Sequence, residues 1–327
     1  MRKPKYAIGF IILVLVVGVY SIVYFKLIGS PHKGNNVTVV LKSMNVRLDF
    51  WQAVSNGAEA AAKEMGLELV VQGPLQEGDA DDQILILEDA IDRKPDAIVV
   101  APIMDDRMPA MLDKIRSSGI ELIVIDTPVD MNPAPVVVSN DHEEAGRLAG
   151  QTAIDEAKGR PTVAIIGDSA DSRISAERLT GLKQAMLPYK DSLIGMYYAD
   201  NSEEQAYEVA KRLLAEDNPF NTLIALNESA TLGAAKALKE RNKSGVINLI
   251  GFDSSVDEIQ LLEAGVVKAA IVQKPFNMGY LGVKTALKLI HGGDAESITY
   301  IESNLITKEN MYSPENQKLL FPFINNR

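Results

Sequence analysis

The chain has 327 residues, 46% of them apolar, with 33 Lys/Arg against 44 Asp/Glu and no Cys. That length suits one large or two ordinary domains and supplies enough apolar material for real cores. Without Cys there are no disulfides and no thiolate metal sites, and three His leave no transition-metal signature.

The first element is YAIGFIILVLVVGVYSIVYF, residues 6–25. Twenty uncharged, mostly apolar residues make a helix of roughly 30 Å, the thickness of a bilayer's hydrocarbon core. Arg2, Lys3 and Lys5 precede it and only Lys26 lies close behind. This predicts a single-pass signal-anchor in the cell membrane, with residues 1–5 cytoplasmic and everything after Lys26 extracytoplasmic. The run is longer than a signal peptide's apolar region and no A-x-A site follows it, so cleavage is not expected. LIGS at 27–30 has Ser30 where a lipidated Cys would stand, which excludes a lipid anchor. Residues 26–35 are polar and turn-rich and read as a linker. Residues 1–35 hold five of the basic residues and no acids, leaving 28 basic against 44 acidic in the remainder. Such an acidic ectodomain does not bind nucleic acid, which needs clustered cations.

Short apolar runs then alternate with helical patterns. Strands are expected from near Val37, Leu67, Asp96, Glu121 and Val136, and a second series from near Thr162, Leu193, Thr222, Ile247 and Lys268. Their continuous Val/Ile/Leu character marks strands buried on both faces, as in parallel sheets. AYEVAKRLL presents Ala206, Val209, Ala210, Leu213 and Leu214 on one helical face. SEEQ (202–205) and SVDE (255–258) are capping-box patterns, and DADDQ (79–83) starts a helix rather than binding calcium, since it lacks an EF-hand's glycine and terminal Glu. The alternation implies right-handed βαβ units. The first four strands start about 30, 29 and 25 residues apart in one half and about 31, 29 and 25 in the other. In both halves the fourth strand stops on an Asp: LIVIDTPVD ends at Asp126 and LIGFDSSVD at Asp253. Two similar α/β lobes, each with ligand-accessible strand ends, would set these carboxylates on opposite walls of one cleft.

Each cleft residue also has a plainer reading. Asp126 could shape the turn before Pro128. Arg178 could be a solvated partner on a charged helix, Trp51 could be core, Asn227 could cap a helix, and Gln273 could be hinge structure. A glycosidase pair made of Asp126 and Asp253 would need one carboxyl kept protonated between them, and nothing in the sequence suggests it. There is no G-x-x-x-x-G-K-[ST] or G-x-G-x-x-G motif for a nucleotide cofactor.

From about Asn36 onward, DFWQAVSNGAEAAAKEMG, VIDTP, SAERLTGLKQAM, ALNESATLGAAKAL, IGFDSS and VQKP stand in order. On these motifs the chain resembles the type I periplasmic binding proteins, in particular their ribose-binding, sugar-receptor branch. The resemblance implies two Rossmann-like lobes with parallel sheets, hinged as a Venus flytrap. The first lobe would hold residues 36–139 plus 275–300 and the second 140–273 plus 301–327, with crossovers near Ser139, Lys274 and Glu302. It also implies a non-enzymatic receptor without cofactor or metal. Phe50 and Trp51 would stack on a sugar ring, while Asp126, Arg178, Asn227, Asp253 and Gln273 would bond its hydroxyls. Side-chain chemistry agrees: carboxylates accept two hydrogen bonds each, Arg offers a fork of donors, and an aromatic ring covers a sugar's C–H face.

The chain departs from the branch in places. Thr127 stands where the ribose type has Arg. The far lobe's second aromatic falls near Asn201, and Asn140–Asp141 reverses the usual aspartate–asparagine order. The expected function is closure on a monosaccharide-like ligand for delivery to the permease of an ABC-type importer; alternatively, the closed receptor regulates a membrane histidine kinase.

Overall fold

The computed structural model describes residues 35–45, 49–215 and 219–321. The expected anchor at 6–25 lies outside them, and no helix among the described residues is long and apolar enough to cross a membrane.

Two six-stranded sheets carry the fold, and both use the same order. The first runs β2 (Glu68–Gln72), β1 (Asn36–Val40), β3 (Ala97–Val100), β4 (Glu121–Ile125), β5 (Val136–Asn140), β11 (Ile298–Ile301). The second runs β7 (Leu193–Tyr198), β6 (Val163–Gly167), β8 (Thr222–Ala225), β9 (Asn248–Phe252), β10 (Val267–Val272), β12 (Asn304–Thr307). Every pairing is parallel except β10 with β12. That strand departs from the expected parallel pattern because β11 and β12 are joined by only Glu302 and Ser303. So short a link leaves no room for a crossover helix, so β12 runs back along β10.

Both faces of each sheet are covered, which is why the strands are apolar throughout. In the first sheet Val37, Val39, Ala97, Val99, Ile123 and Ile125 point to one face, under α1 (Asp49–Met65) and α9 (Pro275–Ile290). Val40, Ile98, Val100, Leu122 and Val124 point to the other, under α2 (Ala80–Asp92) and α3 (Met108–Ser117). The second sheet is sandwiched likewise. On one side lie α4 (His142–Glu156) and α5 (Arg173–Ala185), and on the other α6 (Glu203–Leu213), α7 (Glu228–Glu240), α8 (Val256–Glu263) and α10 (Pro314–Leu320).

Helix starts follow their caps. Asp79 accepts from the Asp82 N–H at 3.0 Å, which confirms DADDQ as a helix start. Ser255 and Glu258 form a complete capping box. Ser202 accepts from the Gln205 N–H at 3.3 Å, but the box is not closed by Gln205.

Paired glycines set the closest helix contacts. A Cβ on Gly57 of α1 would lie 1.9 Å from the Phe276 carbonyl oxygen of α9, and one on Gly279 would lie 1.9 Å from that of Val54. The second lobe repeats the device: Gly146 of α4 against the Arg178 carbonyl oxygen at 1.8 Å, and Gly181 of α5 against that of Glu143 at 1.7 Å.

The chain passes between the sheets three times: β5 to α4, β10 to α9, and β11 to β12. The carboxyl ends of both sheets face these crossings, so the loops leaving the strands converge on one cleft.

Candidate functional site: an interlobe polar cleft

Asp126 and Asp253 are placed by the same backbone device. Each follows the last residue of its strand with a left-handed backbone, φ +66° and +78°. This conformation is uncommon for residues other than Gly and is tolerated by Asp. Each N–H is tied across to the neighbouring strand, Asp126 to the Val138 carbonyl at 3.1 Å and Asp253 to that of Ile271 at 3.0 Å. Ser139 Oγ donates to the Asp126 carbonyl at 2.5 Å. Asp126 is thus more than a turn former: its carboxylate is buried and turned into the first wall.

On that wall Lys42, two residues beyond β1, donates to Asp126 Oδ2 at 2.6 Å and to Thr127 Oγ1 at 2.7 Å. Thr127 in turn donates to Asp126 Oδ2 at 2.9 Å. The ammonium sits 5.7 Å from the centre of the Trp51 ring. Thr127 therefore spends its hydroxyl within the wall, and Lys42 supplies a cation beside it. An ammonium has three N–H donors, and two of them are used among the described residues. Lys42 was not singled out from sequence. Its signal was there: like both aspartates, it is a charge at the end of an otherwise apolar strand, VTVVLKS.

Burial would raise the Asp126 pKa, but the charge and hydrogen bond of Lys42 outweigh it and hold the carboxyl below its ordinary 3.8. It is an ionised acceptor rather than a proton donor. Glu77, on the loop after β2, faces Lys42 and both aspartates from the rim. Although Glu77 is exposed on its outer side, the surrounding protein desolvates it and raises its pKa more than Lys42 and the Trp51 hydrogen bond lower it.

Trp51 takes its core reading. It is a buried member of the first core and meets Phe50 edge-to-face, ring centres 4.9 Å apart. Phe50 is half-buried against the same core.

On the second wall Arg178 is 3% exposed, so it is not a solvated helix charge. Its Nη1 donates to the Leu226 carbonyl at 2.5 Å and its guanidinium lies 4.3 Å from the centre of the Phe252 ring. Burial lowers its pKa, and Asp253 and Asp126 oppose that shift. Asn227 is both cap and rim residue. Its Oδ1 accepts from Ala230 N–H at 2.8 Å and its Nδ2 donates to Asn201 Oδ1 at 3.3 Å. Asn201 is exposed, and it too has a left-handed backbone.

Between the walls, Asn140 Nδ2 donates to Gln273 Oε1 at 2.5 Å, and Gln273 Nε2 donates to Asp253 Oδ1. Asn140 and Gln273 occupy equivalent positions, each two residues beyond the one that receives an aspartate's N–H. Asp141 caps α4 by accepting from Glu144 N–H at 2.8 Å. The reversed order thus assigns the hinge to Asn140 and the cap to Asp141. At the cleft mouth Arg173 reaches Asp130 across the lobes at 3.0 Å.

Beneath Asp253, the Glu258 carboxyl is buried and its pKa is raised well above 4.5, first by burial and then by Asp253 and Glu228. A carboxyl with a raised folded pKa binds an extra proton in the folded state. Its contribution is lost as pH climbs from 4.5 through the folded value. Glu258→Gln keeps the acceptor for the Ser255 N–H and cannot ionise. Its melting temperature should gain on the parent's as pH rises above 4.5; parallel curves would mean that ionised Glu258 is tolerated.

The cleft has acceptors and donors on both walls, an aromatic ring on one, and a hydrogen-bonded hinge. A family model described as the periplasmic binding protein domain matches residues 37–294. The chain is a type I periplasmic binding protein. This binding protein is 26% identical over 275 residues to a ribose import binding protein of Haemophilus influenzae, with 83% of this chain and 91% of that one covered. It is 28% identical over 275 residues to a D-ribose/D-allose-binding protein of Pseudomonas aeruginosa, with 82% and 85% covered. Among solved structures, a carbohydrate transporter solute binding protein from Agrobacterium radiobacter, in complex with D-arabinose, superposes with a TM-score of 0.78 at 27% identity. The match covers 87% of this binding protein and 98% of that chain.

Proposed function

We propose that this protein is an extracytoplasmic sugar receptor that closes on a monosaccharide-like ligand and delivers it to the permease of an ABC-type importer. The single observation that carries this reading is the pair of left-handed aspartates. Asp126 and Asp253 face one cleft from opposite lobes, and Asp253 is tied to the hinge residue Asn140 through Gln273. Relatives named for ribose and allose, and a similar structure in complex with D-arabinose, support a sugar as the ligand class. In this reading Asp126, Lys42, Arg178, Asp253 and Gln273 bond hydroxyls and Trp51, with Phe50, covers the C–H face. Thr127 holds Lys42 in place, and Asn227 and Asn201 contribute from the rim. Residues 36–139 with 275–300 and residues 140–273 with 301–327 move as two bodies. Closure follows because only the closed form lets both aspartates bond one ligand. Residues 6–25 tether the receptor to the membrane. The same tether serves a second reading, in which the closed receptor docks on a sensor kinase, because a spanning helix can pair with a partner's helices.

The test is thermal melting of the full chain in detergent against D-ribose, D-allose, D-arabinose and other monosaccharides, repeated for Asp253→Ala. A ligand at about a hundredfold its Kd adds about 2.7 kcal/mol. One sugar should shift the parent and leave Asp253→Ala unmoved. A cooperative melt that no sugar shifts would refute the sugar assignment.

A further inference from the structure

His142 is 1% exposed, yet neither its Nδ1 nor its Nε2 has a hydrogen-bond partner among the described residues. It opens α4 immediately after the β5 crossing, on the helix face shared with Ala145, Gly146 and Ala149. One turn further, Gly146 packs against the backbone of Arg178, and the Arg178 charge acts on the His142 ring. The charges of Asp126 and Lys42 from the first wall and of Arg178 from the second all act on it. The ring therefore lies where the two walls meet. Two further buried atoms of the walls lack partners among the described residues: Asn140 Oδ1 and Arg178 Nε.

Nearly all buried polar atoms in folded proteins are paired, and an apolar side chain fills a purely structural position at lower cost. Burial, and then the nearby Arg178 cation, push the imidazole pKa down to about 3 against the pull of Asp126. At neutral pH the ring is uncharged and brings one donor and one acceptor. With the Asn140 carbonyl accepting and the Arg178 Nε–H donating, the cluster offers two donors and two acceptors. Two adjacent hydroxyls, each donating once and accepting once, match that set.

We propose that His142, with Asn140 Oδ1 and Arg178 Nε, forms a polar cleft floor that binds a vicinal diol of the ligand pointing toward the hinge, and that His142 is the specificity-determining residue of this site. The inference rests on the sugar-receptor reading and adds to it the hydroxyl pattern that the receptor selects.

The experiment compares the full chain in detergent with His142→Leu and His142→Gln, measuring apo melting and affinity for the best of D-ribose, D-allose and D-arabinose and for its monodeoxy analogues. His142→Leu removes an unpaired polar group, so its apo form should melt at or above the parent temperature while affinity falls about 10- to 100-fold. His142→Gln, which keeps a donor and an acceptor, should bind within a few-fold of the parent. One deoxy analogue should lose affinity against the parent but little further against the Leu variant. Unchanged affinity in His142→Leu overturns the floor while leaving the sugar reading intact. If the Leu variant loses stability and affinity together, the Gln variant decides, and failure to restore binding overturns the proposal. A parent that binds no sugar of the panel defeats the sugar reading, and the inference with it.

Discussion

Asp126→Ala should cost this protein both its ligand and several kcal/mol of stability, whereas Asp253→Ala should cost chiefly the ligand. The difference lies in what each carboxylate leaves behind. Among the described residues Asp126 is the only anion bonded to Lys42, whose side chain is 14% exposed, and its removal leaves an ammonium in the wall with the Thr127 hydroxyl as its remaining partner among them. Breaking a buried pair from one side costs about 3–5 kcal/mol, and the remaining exposure puts the expected loss at the lower end. Asp253 is half-buried and bonded to the neutral amide of Gln273, which can turn to other partners. Lys42→Met combined with Asp126→Ala should restore much of the stability and none of the binding. Hydrogen bonds to a charged group are worth about 1.5–3 kcal/mol each, so loss of either carboxylate should weaken affinity at least about 100-fold. The pH dependence has a definite sign. The folded pKa of Asp126 lies below 3.8, so its stabilisation is complete above that value and disappears as pH falls through the folded one. Denaturant melts of parent and Asp126→Ala should stay separated down to about pH 4 and converge below it. Equal stability at neutral pH would mean that water, not Asp126, compensates Lys42.

Gly181→Ala should be the most damaging single methyl in the second lobe. The new Cβ would meet the Glu143 carbonyl oxygen at 1.7 Å and the Arg147 nitrogen at 2.8 Å. Both are backbone atoms of a helix, so no rotamer change relieves the clash and α4 must move off α5. Overpacking costs about 1–3 kcal/mol and occasionally more, against about 1 kcal/mol that Ala returns as a better helix former. We expect a net loss of up to about 2 kcal/mol, read from denaturant melts. Affinity should fall about tenfold as well, because α5 carries Arg178 and α4 begins at His142, and sites of this kind tolerate displacements of only about 0.5 Å. A variant that loses stability and binds as before would show that the walls are positioned by the sheet rather than by this helix pair.

The parallel strands were legible because their apolar runs are continuous and their spacing repeats. The edge strand β12 was not, because NLIT is only partly buried and pairs antiparallel through a two-residue link. In the site, paired Asp ends of equivalent strands drew attention to Asp126 and Asp253, and family motifs brought in Arg178, Gln273 and Trp51. Lys42 escaped notice because a single Lys after an apolar strand has many uses, and only the fold brings it to Asp126, 84 positions away. His142 escaped for the opposite reason. A lone His at a helix start looks ordinary in sequence, and only its burial without partners sets it apart. Thr127 read as a lost donor, but the fold places a substitute cation from another strand next to it.

The three passages between the sheets govern the order in which this protein can be completed during synthesis. The first sheet takes its last strand from residues 298–301, and one of its faces is covered by α9 at residues 275–290. Until those residues emerge, β5 is an unpaired edge and the apolar face of β3 and β4 lacks half its cover. The amino-terminal lobe, first to be made, must therefore wait for nearly the whole second lobe, whose own β12 lies only a few residues further on. Both lobes finish almost together, so nascent chains expose open sheet edge and apolar surface for most of their synthesis, where chaperones would bind.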